Sequence, residues 1–272
     1  MTLSAPDMMT VRRSALDAIA DLPPAAVPRR PFEDIQVDVN DHLSPTDAGT
    51  DAVPASLARA VADRLVRHHD RVGPGAAVVT GLASRFGLGT ARVFHEALFR
   101  EVWEEFRSRT GRPGPEGRYR FKTTVTSDGA IPLELYGSNW SFKRPHIDRD
   151  TLVFSHLYGP LSGFSGGGLL LVDVRVYMHR HGLRFKDVFE WSDEPTEGSK
   201  PVLRHAHLDA ALDECAVDLG AMGPDEILFV NNSPDAGILH GVTDVIPADR
   251  GDFVRTFHRC SVKESERGGE DA

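Results

Sequence analysis

Three short stretches of the sequence place a histidine two residues before an aspartate. They are His68 and Asp70 in RHHDRVGPG, His146 and Asp148 in RPHIDRDTLVFSHLYGP, and His207 and Asp209 in RHAHLDAALDEC. An imidazole and a carboxylate at that spacing can give two ligands to one divalent metal ion. Both must project to the same side, as residues i and i+2 do in an extended segment. The surroundings therefore choose between the three.

Residues 55–71, ASLARAVADRLVRHHDR, set Leu57, Val61, Leu65 and Val66 at helical spacing between Pro54 and Gly73–Pro74. That predicts a helix whose last turn holds His68 and Asp70, where a histidine and an arginine suit the free carbonyls. HLDAALDECAVDLG, 207–220, shows Leu208, Leu212 and Cys215 as an apolar stripe. His207 and Asp209 then stand at a helix start, where an aspartate is favourable without any metal. His146 and Asp148 differ: they lie where a loop meets the apolar run TLVFSHLY, 151–158.

A third ligand has to come from another strand, and His240 in SPDAGILHGVTDV offers one. Two neutral imidazoles and one carboxylate on one face of an iron(II) ion leave adjacent positions open for an acid cosubstrate and oxygen. A keto acid also needs an anchor for its far carboxylate, for which a bidentate guanidinium is suited. DFVRTFHR supplies Arg255, and Arg259 four residues on, facing the same side of a strand. Two arginines facing one way in an apolar strand are costly unless anions meet them.

These residues need a scaffold of strands. YRFKTTVTS (119–127), IPLELYGSNWSF (131–142), TLVFSHLY, GLLLVDV (168–174), EILFVNN (226–232), GILHGVTDVI (237–246) and FVRTFHRCSV (253–262) read as strands between turn residues. AAVVTGL (76–82) reads as a short buried strand. TARVFHEALFREVWEEFRSR (90–109) reads as an amphipathic helix capped by Thr90, with Phe94, Leu98, Val102 and Phe106 packing on a sheet. Helical pieces also interrupt the strands near 173–191 and 207–220. The expected fold class is α+β with a mainly β core: a jelly-roll or cupin-like barrel with flanking helices. We expect one domain over 1–272, with 1–115 mostly helical cladding, 116–262 the jelly-roll core and 263–272 a frayed tail.

On PHID (His146, Asp148), ILHGVT (His240) and DFVRTFHR (Arg255), the chain resembles the Fe(II)/2-oxoglutarate-dependent oxygenases. The resemblance covers roughly 120–262. It implies a double-stranded β-helix and the cofactors Fe(II), 2-oxoglutarate and O2. By resemblance His146, Asp148 and His240 are the iron ligands, and Arg255 binds the far carboxylate of 2-oxoglutarate. Arg259 shares that role or holds a substrate carboxylate; Asn139, Trp140 and Lys143 are further cosubstrate candidates. SGGGLLLVDV resembles the glycine-rich turn and strand that often follow the proximal pair. Some subgroups have a threonine there that touches 2-oxoglutarate, where this chain has Leu169 and Leu170. Iron halogenases of this fold replace the aspartate with a small residue; Asp148 favours hydroxylation, desaturation or ring formation instead. A non-catalytic cupin-like binding module, or a metal-dependent isomerase or hydrolase on the same barrel, would use the triad without Arg255.

Composition is that of a soluble globular chain, 40% apolar and 26% charged over 272 residues, with no stretch suited to a membrane span. The N-terminal segment has no secretory h-region and reads as a poorly ordered or docking helix, a transit peptide being the alternative. Cys215 and Cys260 form neither a disulfide framework nor a zinc-type spacing, which suits reduced thiols and a cytoplasmic location. With net charge −9 and no basic stripe, the expected partner is a small molecule, not nucleic acid or membrane. An amino acid or amino-acid-derived metabolite is the expected substrate, its amine facing Glu134 or its carboxylate facing Arg144 or Arg259. The sequence sets no oligomeric state. His156, His205 and His258 read as hydrogen-bonded core histidines, Trp103 and Trp191 as packing residues, and His179 and His181 as part of a lid or loop between core strands.

Overall fold

In chain order, β1 (Gln36–Asp38) runs into a single 3-10 turn, and α1 (Ala55–Leu65) follows. Next come β2 (Arg67–His68), β3 (Arg71–Val72), β4 (Ala76–Thr80) and the long helix α2 (Leu88–Thr110). Strands β5 (Tyr119–Ser127), β6 (Thr151–Ser162), β7 (Phe164–Gly166) and β8 (Leu169–Asp173) follow. Helices α3 (Val174–His181) and α4 (Phe185–Val188) lead to β9 (Phe189–Trp191) and β10 (Pro201–Leu203). The chain closes with α5 (His205–Cys215), β11 (Ala216–Asp218), β12 (Ile227–Asn231), β13 (Ile238–Val242), β14 (Val245–Pro247) and β15 (Val254–Lys263). The structure, a computed structural model, describes residues 34–43, 53–68, 71–82, 85–86, 88–111, 119–127, 145–148, 151–191, 201–220, 222–223, 226–233, 236–243, 245–248 and 254–263.

Two sheets position the site. The larger has six strands in the order β1-β4-β12-β6-β15-β5, antiparallel except for β1 beside β4. The smaller has three, β11-β8-β13, all antiparallel. Side chains alternate across each strand, and that alternation sorts them into separate cores. Val153, Leu157, Ile227, Phe229, Cys260 and Val262 pack with α1 and α2 on one face of the large sheet. Phe154, Tyr158, Leu228 and Val230, on its other face, pack with Leu169, Leu171 and Ile238 of the small sheet. Val172 and Leu239 turn outward to meet α3, α4 and α5. A strand-rich core clad by a few helices agrees with the α+β reading of the sequence.

Element boundaries depart from the sequence reading in several places. The first helix ends at Leu65, and β2 pairs with β3, so His68 is not in a helical turn. The stop is at Val66, whose backbone is extended, and the returning chain lies close over the helix end. A Cβ at Gly73 would fall 2.5 Å from the Asp63 carbonyl oxygen, so only glycine permits that approach. The long helix starts at Leu88, which puts Thr90 inside the first turn rather than at the cap. The last helix begins at His205 and stops at Cys215; Ala216–Asp218 instead pairs with β8. His205 is exposed at the head of that helix, not in the core. The expected strand 131–142, the N-terminal segment and the tail lie outside the described residues.

Candidate metal centre

Backbone pairing brings two of the expected ligands together. His146 and His240 form an antiparallel bridge, each N–H donating to the other's carbonyl at 3.0 and 3.1 Å. His146 also bridges to Val202, and Ile147 N–H donates to the Pro201 carbonyl at 3.1 Å. The PHID segment is thereby stitched between β13 and β10. Asn232, fully buried just past β12, holds the aspartate's backbone. Its Oδ1 accepts from Asp148 N–H at 3.0 Å, and its Nδ2 donates to the Asp148 carbonyl at 2.9 Å and the Thr151 carbonyl at 2.6 Å. One amide side chain thus ties the Asp148 backbone to the first residue of β6.

The side chains converge. His146 Nε2 lies 3.4 Å from Asp148 Oδ1, and His240 Nε2 lies 3.6 Å from Asp148 Oδ2. One ligand atom from each residue falls within 4.8 Å of the others. Ligands about 2.1 Å from a common ion at right angles would be roughly 3 Å apart, so the three need only a small closing movement. The imidazoles are 4.4 Å apart at their centroids, and His240 meets Phe154 edge-on at 4.8 Å. His240 Nδ1 has no hydrogen-bond partner among the described residues. Ring packing and the backbone ladder, not a bond at Nδ1, therefore orient this ring.

Charge in the site favours ligation. Burial lowers His240 to about 4, aided by His146, so the ring is neutral at physiological pH. Burial alone would raise the Asp148 carboxyl, but Arg259 and the two histidines outweigh it and hold it well below the usual carboxylate range. The donor set is thus two imidazoles and an ionised carboxylate, the chemistry that suits Fe(II) with adjacent open positions. These residues fit that ion.

Arg259 reaches the same point. Its Nη2 donates to Asp148 Oδ2 at 2.6 Å, and its guanidinium lies over the Phe154 ring at 4.6 Å. His156 Nε2 stands 3.4 Å from Arg259 Nη1, and its Nδ1 stands 3.4 Å from the Tyr158 hydroxyl. Burial first and Arg259 second keep His156 neutral, well below its ordinary value. Arg255 lies further along the strand, 5.7 Å from the Phe257 ring, with its charge acting on the Tyr158 hydroxyl. The structure thus brings together His146, Asp148, His240 and Arg259, with Arg255 in the same row. Asn139, Trp140 and Lys143 lie outside the described residues, as do Glu134, Arg144 and Asp70.

The other histidines divide. His207 is 3.0 Å from the Tyr177 hydroxyl, and His258 is 2.9 Å from Thr123 Oγ1. His179 and His181 end α3, exposed, with His181 Nε2 2.8 Å from Glu214 Oε1. That helix packs on the face of the small sheet that carries Leu239, away from His240, so it is cladding and not a lid. Sequence reading missed Asn232, because its role is to hold the backbone of residues more than eighty positions away. NNSP after an apolar strand signalled only a turn.

No protein-family model matches the sequence, and no curated protein matches it. Similar solved structures include an asparagine oxygenase in complex with Fe(II), (2S,3S)-3-hydroxyasparagine and succinate, 19% identical, covering 77% of this chain and 80% of that one at a TM-score of 0.46. An iron- and α-ketoglutarate-dependent endoperoxidase is 14% identical, over 70% and 78%, at 0.33. A non-haem iron oxygenase in complex with Fe and L-canavanine is 12% identical, over 71% and 76%, at 0.36. At such identities and scores the likeness decides nothing about chemistry, which this chain's own residues must carry.

Proposed function

We propose that this chain is an Fe(II)- and 2-oxoglutarate-dependent oxygenase that hydroxylates, desaturates or cyclises a small molecule at an unactivated C–H bond. Its substrate on this reading is an amino acid or amino-acid-derived metabolite. One observation carries the reading: two imidazoles and an ionised carboxylate converge between two sheets, with two arginines on the strand beside them. On this reading the strands of 116–262 form a double-stranded β-helix within a single domain spanning 1–272, and β1 and β4 extend its large sheet.

His146, Asp148 and His240 would hold the iron. When bound, that ion with 2-oxoglutarate and oxygen supplies the oxidising power that side chains lack. The residues do the rest. Asp148 Oδ2 stays on Arg259, which fixes the rotation of the carboxylate while Oδ1 faces His146 Nε2. Asn232 keeps the PHID backbone from relaxing when charge at the site changes. Arg255 takes the far carboxylate of 2-oxoglutarate, and Arg259, nearer the triad, faces Asp148 and a carboxylate of the substrate. Phe154, Leu171 and Ile238 exclude water around the reacting carbon.

The test is turnover. Protein with Fe(II), ascorbate, O2 and 2-oxoglutarate is assayed for succinate against a panel of free amino acids. Succinate formation that rises with one amino acid and vanishes in Asp148→Ala supports the reading. Iron bound without succinate under any condition would leave a binding module; turnover of a substrate with zinc or manganese and no oxygen would leave an isomerase or hydrolase.

A further inference from the structure

Strand β15 carries metal-type ligands on both faces. Arg255, Phe257 and Arg259 line the triad side; His258 and Cys260 point the other way, toward α2. There they meet His95. Its Nδ1 lies 3.7 Å from Cys260 Sγ, and its ring is 5.6 Å from that of His258. One ligand atom from each of His95, His258 and Cys260 lies within 4.8 Å of the others. Glu96, next on the helix, places Oε1 3.0 Å from His258 Nε2. His95 and Cys260 are fully buried and His258 is 7% exposed.

Three features distinguish this cluster from an ordinary hydrogen-bonded core. Each imidazole is fixed through the nitrogen turned outward: His95 Nε2 is 2.6 Å from Ser155 Oγ, and His258 Nδ1 is 2.9 Å from Thr123 Oγ1. Metal-bound histidines are oriented in that way, by a hydrogen bond at the ring nitrogen that does not ligate. Next, His258 Nε2 is buried without a hydrogen-bond partner among the described residues, Glu96 being close but not placed to satisfy it. A buried polar atom left so is costly unless something else meets it. Finally, spacing and charge suit a tetrahedral ion. Bonds of ~2.0 Å to nitrogen and ~2.3 Å to sulfur set the two ligands roughly 3.5 Å apart. A thiolate and a carboxylate neutralise a divalent cation, so the filled site carries no net charge into the core.

We propose that His95, His258, Cys260 and Glu96 form a structural site for a zinc-type divalent cation that clamps α2 to β6 and β15. It stands apart from the triad and does not depend on the function proposed for it. No local spacing announces it, since two ligands come from a helix and two from a strand more than 160 residues later.

Cobalt(II) titrated into the full-length protein tests the site, because the triad contains no sulfur. The expected result is an intense thiolate-to-cobalt charge-transfer band, kept in Cys215→Ser and lost in Cys260→Ser. Zinc should raise the melting temperature of the parent protein and of Cys215→Ser by more than that of Cys260→Ser, where only the triad is left to bind it, with circular dichroism showing all three folded. A folded parent protein that takes up cobalt without that band, or a band that survives Cys260→Ser, overturns the proposal.

Discussion

Asp148 faces three partners at once, with an imidazole on each oxygen and a guanidinium on Oδ2. Its backbone is held by Asn232. Asn232→Ala should cost about 2–4 kcal/mol in chemical denaturation, because it strands buried backbone groups at Asp148 and Thr151. It should also weaken Fe(II) binding by roughly tenfold or more, as losses around metal ligands do. Equal iron affinity in the folded variant would show that the amide serves stability alone. The two arginines separate by their partners. Arg255→Ala should raise the 2-oxoglutarate KM at least about tenfold, a charge-assisted bidentate pair being worth roughly 1.5–3 kcal/mol. Arg259→Ala, which frees Asp148, should act on iron affinity and on kcat as well. Identical kinetic effects of the two changes would contradict the separate roles. At this scale the sequence was informative. His146 and Asp148 before an apolar strand, and arginines four apart, announce themselves by type and parity. Asn232 does not, since an amide in a turn has no local signature of the distant backbone it binds.

At the scale of elements, period-two alternation in β6, β12 and β15 sends one set of side chains to the helices and the other to the site. Those strands were legible as β-branched and aromatic runs, although β6 continues through Gly159–Ser162, residues that read as a turn. Helix ends were less so. Val66 continues the helical stripe of α1, yet the chain leaves at that residue to form β2, a choice made by tertiary pairing. Ala216–Asp218 likewise prefers the edge of β8 to another helical turn. Phe229 tests whether the large sheet depends on its helix. It is fully buried and stacks on Phe99 at 6.2 Å, so Phe229→Ala should destabilise by about 3–5 kcal/mol in a denaturant titration. A loss under 1 kcal/mol would mean that α2 and the sheet repack freely.

Across the molecule, helices cover the outer faces of both sheets and the site lies between the inner faces. Several neutral histidines are buried in this arrangement, and that sets its response to acid. Burial holds His95 and His156 well below the ordinary value of 6.5, and His240 at about 4. Below 6.5 the unfolded chain takes up protons that the folded one refuses, so stability is lost as pH falls from about 6.5 toward 4. His240 alone accounts for on the order of 3 kcal/mol. Asp148, held low, adds a loss in more acid solution. The metal-free protein should therefore show a falling melting temperature across that window; a flat profile would mean that these histidines are solvated. A strand-rich core clad by helices was legible from the strand series, whereas helices on both outer faces were not, and neither was the pairing of PHID with β13, because a four-residue segment carries no register of its own.

The most direct test of the central claim is an anaerobic titration of Fe(II) and 2-oxoglutarate into the metal-free protein, followed by visible absorption, with His240→Ala alongside. The result expected is a weak charge-transfer band that requires both components and disappears in the variant. Iron bound to folded protein with no such band, or a band unchanged in His240→Ala, would contradict the reading of His146, Asp148 and His240 as the centre that binds the cosubstrate.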